Sequence, residues 1–215
     1  MKNLVNFFTE IGKLKNMPRQ GWVIRNIKNP ESIAEHTFRA AIMAWFLGAE
    51  KNYNFNIEKI IKMALIHDLY LCEIHTGDIT FYDSVLPRDK KKLQELVKTW
   101  PRFSNEKRKI LVEQKFKKEK QVLDKIIKNL PPKLKDEVNN LWMDYQKGLS
   151  KEGRFFKQIN KLENFLQALE YWKKYKKPLQ DSWWKSAGEF FDDPYLLEFI
   201  ENMNKKFHKN HKPKN

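Results

Sequence analysis

The sequence is short of cysteine, glycine, arginine and long apolar runs, and each shortage excludes something. A lone cysteine, Cys72, in 215 residues has no partner for an intrachain disulfide and cannot build a cysteine-based zinc site. Only 7 glycines disfavour sandwiches and barrels, whose tight turns depend on glycine. No apolar run approaches the ~20 residues that a membrane-spanning helix requires. The N-terminal stretch MKNLVNFFTEIGKLK has neither the apolar segment nor the small-residue cleavage site of a signal peptide. The expected compartment is therefore the cytoplasm, with no membrane partner. Arginine is scarce among the 42 basic residues: only Arg19, Arg25, Arg39, Arg88, Arg102, Arg108 and Arg154 carry a guanidinium.

What remains is an apolar, aromatic and strongly basic chain. Hydrophobic residues make up 41% and aromatic residues 13%, enough for a real core. The formal net charge of +15 invites a basic helical nucleic-acid-binding reading. Lysine supplies nearly all of it, whereas base and phosphate readers favour the arginine fork. Lysine runs at 89–92 and 117–120 read as solvated helix faces.

Apolar residues recur at three- and four-residue steps almost throughout, which predicts an all-α class. Residues 2–14 read as a short amphipathic helix. A loop with Pro18, Gly21 and Asn29–Pro30 follows. Glu31–Ser32 opens a long apolar helix over about 32–50, and another is expected from Ile57 to about Leu71. Gly77–Pro87 reads as a loop. Residues 88–147 form a charged helical section interrupted by Pro101 and Pro131–Pro132. A helix from about Lys151 to Lys174 carries a core stripe of Phe155, Phe156, Ile159, Leu162, Leu166 and Leu169. Two short C-terminal helices contain Trp183–Trp184 and the LLEFIENM string. Residues 1–205 are expected to form a single domain, with 206–215 a flexible basic tail.

Five histidines are present, and two of them, His208 and His211, fall in that tail. His36 sits on an apolar helix, in IAEHTFRAA. His67 ends another, in MALIHDLYL, with Asp68 directly after it. An imidazole and a carboxylate at the end of a buried helix are costly to leave unpaired. A divalent cation would satisfy both, with a second His from a neighbouring helix. A pair of satisfied core histidines fits the same residues.

The ordered strings ESIAEHTFRAA, ALIHDL and E-x-x-x-GDIT, preceded by RQGWVIR and followed by RFFKQINKLENFLQALEYW, resemble the HD-domain metal-dependent phosphohydrolases, in the branch of the 5'-deoxynucleotidases. The resemblance runs from about residue 5 to 202. It implies an HD-type helical bundle over 1–205, one divalent metal (manganese or cobalt), a small nucleotide substrate and a homodimer. It also implies metal ligands at His36, His67, Asp68 and Asn160. The fourth of these is an Asp in the family's D-K-L-E-like pattern, and this chain reads Asn160-Lys161-Leu162-Glu163. An amide ligates through its oxygen but carries no charge. Glu73 resembles the family's proton-transferring Glu, but two additional residues separate it from Asp68. In a continuous helix these rotate it by about 200°.

The resemblance implies substrate contacts at Arg19, Trp22, Arg25 and Asp78. Arg19 and Arg25 would clamp a phosphate dianion. Trp22 offers an apolar face for a base, or is packed in the core. Asp78 would meet a sugar hydroxyl, or cap a turn. Glu163 would support the metal or cap a neighbouring helix, and His75 would act as a ligand or acid, or is a loop residue. Three functions follow. The first is a phosphomonoesterase acting on nucleoside 5'-monophosphates with Asp68 and Glu73 catalytic. The second is a catalytically impaired relative that keeps the pocket. The third is the nucleic-acid binder.

Overall fold

The computed structural model describes residues 1–50, 53–74, 86, 87, 89–98, 103–176 and 190–208. Among them every regular element is helical, and the sole β feature is an isolated bridge between Pro18 and Ser32. The helices are α1 (Lys2–Ile11), α2 (Gln20–Val23), α3 (Ile33–Glu50), α4 (Ile57–Ile66), α5 (Lys90–Lys98), α6 (Asn105–Ile127), α7 (Pro132–Lys147), α8 (Lys151–Tyr175) and α9 (Pro194–His208). Short 3-10 turns run over Gly12–Asn16 and Leu69–Glu73. The chain groups into two compact units, Met1–Phe156 and Lys157–Asn215, and α8 begins in the first and continues in the second.

Local chemistry sets the helix ends. Ser32 and Glu35 form a capping box at the start of α3: Glu35 N donates to Ser32 Oγ at 3.1 Å and Ser32 N to Glu35 Oε2 at 2.6 Å. Two orphan amides of the first turn are thereby satisfied. Asn56 Oδ1 accepts from Lys59 N at 2.9 Å and starts α4. Gly148 ends α7 at φ 62°, ψ 43°, a left-handed conformation that favours glycine.

The first unit is held by a buried cluster that includes Leu14, Ile33, Leu71, Leu123, Ile127 and Trp142. A polar clamp adds to it where α4, α7 and the start of α8 meet. Asp144 accepts from Ser150 N (2.8 Å) and Ser150 Oγ (2.6 Å), and pairs with Lys59 Nζ at 2.6 Å. Gly153 lies against this clamp. A Cβ there would collide with Asp144 Oδ1 and come within 2.8 Å of the Asp144 carbonyl oxygen.

In the second unit, Gln158 bridges to the residues before α9, donating to Asp192 Oδ1 at 2.7 Å and accepting from Asp192 N at 3.1 Å. Asp193 Oδ1 caps α9 through Tyr195 N at 2.9 Å. The predicted α8 stripe is buried at Phe155, Phe156, Ile159, Leu162 and Leu169, with Phe165 buried where Leu166 was expected.

Three boundaries differ from the periodicity. The N-terminal helix stops at Ile11 and tightens into a 3-10 turn. The helix expected to reach about Leu71 ends at Ile66, because Asp68 leaves the helical region at φ −114°, ψ 12°. Finally, α9 runs through His208, into the segment expected as a tail. His75, Asp78, Trp183 and Trp184 lie outside the described residues.

Candidate metal centre

Four segments of the first unit build the centre. The Pro18–Ser32 bridge comes first. Arg19 N donates to Glu31 O and Ile33 N to Met17 O, both at 2.9 Å. This ties the chain before α2 to the start of α3, so the buried Arg19 lies alongside His36. His36 is on the inner face of α3 and is fully buried. His67 follows the last residue of α4, and Asp68 turns out of the helix axis.

The donor atoms of His36, His67 and Asp68 lie within 4.8 Å of one another, and all three residues are buried. Asp68 Oδ2 is 3.1 Å from His67 Nε2 and 3.9 Å from His36 Nε2. The two imidazoles meet edge-on at 5.4 Å between centroids, and Tyr145 and Phe156 pack on His67 at 5.5 and 5.2 Å. The break in α4 makes this possible, since a continued helix would carry Asp68 around its axis by about 100° per residue.

The ring tautomers follow from the partners. His67 Nδ1 is 2.7 Å from Ala64 O. A carbonyl only accepts, so Nδ1 carries the proton and, in the neutral ring, Nε2 presents a lone pair. That Nε2 is buried, and its polar neighbour is Asp68 Oδ2 at 3.1 Å. His36 is set the opposite way. Its Nδ1 is 2.9 Å from Arg19 NH1, and a guanidinium only donates. In the neutral ring His36 therefore carries its proton on Nε2, toward Asp68.

Burial works to raise the Asp68 pKa. The imidazoles of His67 and His36 and the Arg19 guanidinium outweigh it, and the carboxyl is held well below the usual carboxylate range. The donor set of two imidazoles and one ionised carboxylate, with a buried lone pair on His67, fits a divalent cation.

Of the residues expected at the site, the structure brings together Arg19, His36, His67 and Asp68. Trp22 is buried beside them, and its Nε1 donates to Glu31 Oε1 at 3.0 Å. Its edge is thus committed to the fold rather than open as a platform. Arg25 donates from NH1 to Gly21 O at 2.7 Å and lies 5.9 Å over the Trp22 ring. Asn160 and Glu163 sit one turn apart on α8 in the second unit, with Asn160 Oδ1 and Glu163 buried.

Glu73 is placed by the early end of α4. It ends the Leu69–Glu73 turn and pairs with Lys125 and, at 3.9 Å, with Lys13. Those lysines lower its pKa, the Lys125 hydrogen bond most of all. The two additional residues carry it to the α1–α6 side, where its described contacts are with Lys125, Lys13 and Glu10.

Glu31 was missed as a site residue. It pairs with Arg19 at 3.4 Å and Arg39 at 3.8 Å besides accepting from Trp22. Its place directly before the capping Ser32 was the available signal.

Comparison with known proteins agrees with this architecture. The HD domain profile matches residues 11–190. The 5'-deoxynucleotidase HDDC2 of Xenopus laevis is 33% identical over 93% of this chain and 85% of its own length. The 5'-deoxynucleotidase HDDC2 of Homo sapiens is 31% identical over 94% of this chain and 85% of its own. A conserved hypothetical protein of Pyrococcus furiosus superposes with a TM-score of 0.61 at 28% identity, covering 94% of this chain and 99% of that one. With its paired histidines and the adjoining aspartate in place, the chain belongs to the HD domain family, alongside the 5'-deoxynucleotidases.

Proposed function

We propose that the protein is a metal-dependent phosphomonoesterase that hydrolyses nucleoside 5'-monophosphates in the cytoplasm. One observation carries the reading: three buried donors converge, with an arginine at their edge. His36, His67 and Asp68 would hold one divalent cation, manganese or cobalt, and the resemblance assigns a fourth donor to the amide oxygen of Asn160. Such a cation, when bound, supplies Lewis acidity toward a phosphoryl oxygen and makes bound water more acidic.

The chain's own residues do the rest. Asp68 stays ionised and is the one negative donor of the triad. Arg19 places a permanent positive charge beside the donors, and its planar fork suits two phosphoryl oxygens. Glu31 orients that fork and holds Trp22 by its indole N–H. Asp78 is assigned to the sugar, where a carboxylate accepts from a hydroxyl. Phe156 and Tyr145 shield His67 from bulk water, which strengthens every charge interaction in the pocket.

The test is phosphate release from a panel of 5'- and 3'-monophosphates with manganese or cobalt present. Release from the 5' esters that His67→Ala lowers at least ~100-fold is expected for loss of such a ligand. No release from any member of the panel refutes the reading.

A catalytically impaired relative is the second reading, and two observations favour it: the amide at position 160, and Glu73 turned onto lysines. Here Asn160→Asp is decisive. Adding one charge near a cation tightens metal binding by about tenfold or more. Turnover that appears only in this variant supports impairment of the natural chain, and turnover already present in the natural chain removes it.

A further inference from the structure

Helix α6 turns an apolar stripe inward. Leu111, Leu123 and Ile127 lie on it at multiples of four residues and are buried. Glu119 occupies a position of the same stripe, one turn before Leu123, and is 0% exposed. A leucine there would continue the pattern at no cost in desolvation. A buried carboxylate is costly unless several donors meet it.

The described donors come from three elements. Lys115 Nζ, one turn earlier on α6, donates to Glu119 Oε2 at 3.0 Å. Gln146 Nε2 donates to the same oxygen from α7 at 3.2 Å. The Tyr70 hydroxyl donates to the Glu119 carboxylate from the Leu69–Glu73 turn.

Two of these donors adjoin the metal centre. Tyr70 is two residues past Asp68, and its hydroxyl is close enough to interact electrostatically with Asp68 and Tyr145. Gln146 directly follows Tyr145, whose ring packs on His67 at 5.5 Å. Asp68 has left the helix at φ −114°, ψ 12°, and its side chain does not cap the turn that follows. Leu69 and Leu71 anchor that turn in the cluster of Leu123, Ile127 and Trp142. Apolar burial of this kind is non-directional and tolerates small slides. A hydrogen bond has a fixed length and angle and does not.

We infer that Glu119 is a positioning residue of the metal centre. Through Tyr70 it fixes the turn that aims the Asp68 carboxylate at the two imidazoles. Through Gln146 it holds α7, with Tyr145, against His67. The inference rests on the proposed metal centre and adds to it a buried carboxylate that orients a donor instead of ligating, as outer groups around a metal commonly do.

Cobalt(II) alone, titrated into the metal-free full chain, tests it. The visible absorption of bound cobalt reads coordination geometry, and a competing chelator gives the affinity. Glu119→Leu fills the same space and removes the acceptors. It is expected to weaken cobalt binding about 10- to 100-fold and to alter the spectrum. Tyr70→Phe deletes one hydroxyl from a buried ring and is expected to weaken binding about tenfold. Glu119→Gln keeps an oxygen for Tyr70, and the Gln146 amide can turn over to accept from the introduced amide. Binding in that variant is expected to return to near the natural value, although the pair with Lys115 is lost. Melting temperatures are measured alongside. A merely structural role makes cobalt affinity follow melting temperature across the three variants, and a positioning role separates the two. Affinity and spectrum unchanged in Glu119→Leu and Tyr70→Phe overturn the inference and leave the metal centre standing. If Glu119→Leu does not fold, Tyr70→Phe decides alone. Equal losses in Glu119→Gln and Glu119→Leu also overturn it, because charge or folding is then what counts and not the held hydroxyl. A natural chain that takes up no cobalt overturns the metal centre and this inference with it.

Discussion

Adding manganese or cobalt is expected to raise the thermal stability of this protein, and Asp68→Asn is expected to abolish the rise. The donors of His36, His67 and Asp68 lie within 4.8 Å of one another, all buried. A cation that binds this arrangement does not bind the unfolded chain comparably, because there the donors are far apart. At a free concentration 100 times the dissociation constant, the native state gains about 2.7 kcal/mol. For a chain of this length that is ~5–10 °C in midpoint.

Asp68 carries the argument because it is the one carboxylate of the three, and its lowered pKa keeps it ionised at neutral pH. Replacing it by Asn leaves two imidazoles beside the Arg19 guanidinium with no negative charge among them, a field that does not favour a cation. The assay is differential scanning fluorimetry or calorimetry at neutral pH, with and without millimolar metal, reversed by a chelator. Natural protein is expected to shift by several degrees and Asp68→Asn by about one degree or less. No shift in the natural protein, or equal shifts in both, refutes the assignment of these donors.

Other outcomes follow from single features. Nitrogen-detected NMR of the metal-free protein finds His67 protonated on Nδ1 and His36 on Nε2, and Arg19→Met frees His36 to take the other tautomer. Observing His36 protonated on Nδ1 in the natural protein contradicts the Arg19 contact. Gly153→Ala destabilises by about 2–4 kcal/mol, because the added carbon meets Asp144 side chain and backbone together; denaturant midpoints check it, and an unchanged midpoint refutes the packing. Burial opposes ionisation of Asp144, but the Lys59 and Ser150 contacts lower its pKa overall. Its contribution to stability is therefore complete above the unfolded value of about 4 and is lost as pH falls through the lowered one. Asp144→Asn accordingly flattens the acid limb of the stability curve. Burial pushes the Cys72 thiol up to about 12, so thiol reagents at neutral pH label native protein far more slowly than unfolded protein. Equal rates contradict its placement.

Much of this was legible before any coordinates, and the reasons are local. The start of α3 was read at Glu31–Ser32, where Ser32 and Glu35 satisfy each other across one turn. The charged helical section was read to end at 147, and Gly148 closes α7 there. His36 and the His67–Asp68 doublet announce themselves because polar groups interrupt otherwise apolar helices. The end of α4 was not legible, since Leu69 and Leu71 continue the helical period while the chain has already turned at Asp68. Those leucines stay buried in the 3-10 turn, so burial alone did not distinguish a helix from a turn. Glu31 was hidden for a different reason. Its partners Trp22, Arg19 and Arg39 come from both sides of it in sequence, and no short motif joins them.

Glu73 lies two residues further from Asp68 than the resemblance implies. Two residues added after Asp68 cost the core little, because Leu69, Tyr70, Leu71 and Cys72 all find buried places. The displaced carboxylate then meets Lys125 and Lys13, which stabilise its charged form and hold it as an acceptor of hydrogen bonds. A carboxylate so held is a poor proton donor at neutral pH, and its described contacts are away from the histidines. If the chain turns over nucleotides, the proton for the leaving oxygen therefore comes from solvent or from another residue. Glu73→Gln then changes the rate little while weakening the contact between the Leu69–Glu73 turn and α6. A large loss of rate in Glu73→Gln, with its melting temperature unchanged, would place Glu73 in the chemistry after all and would require the turn to rearrange when substrate binds.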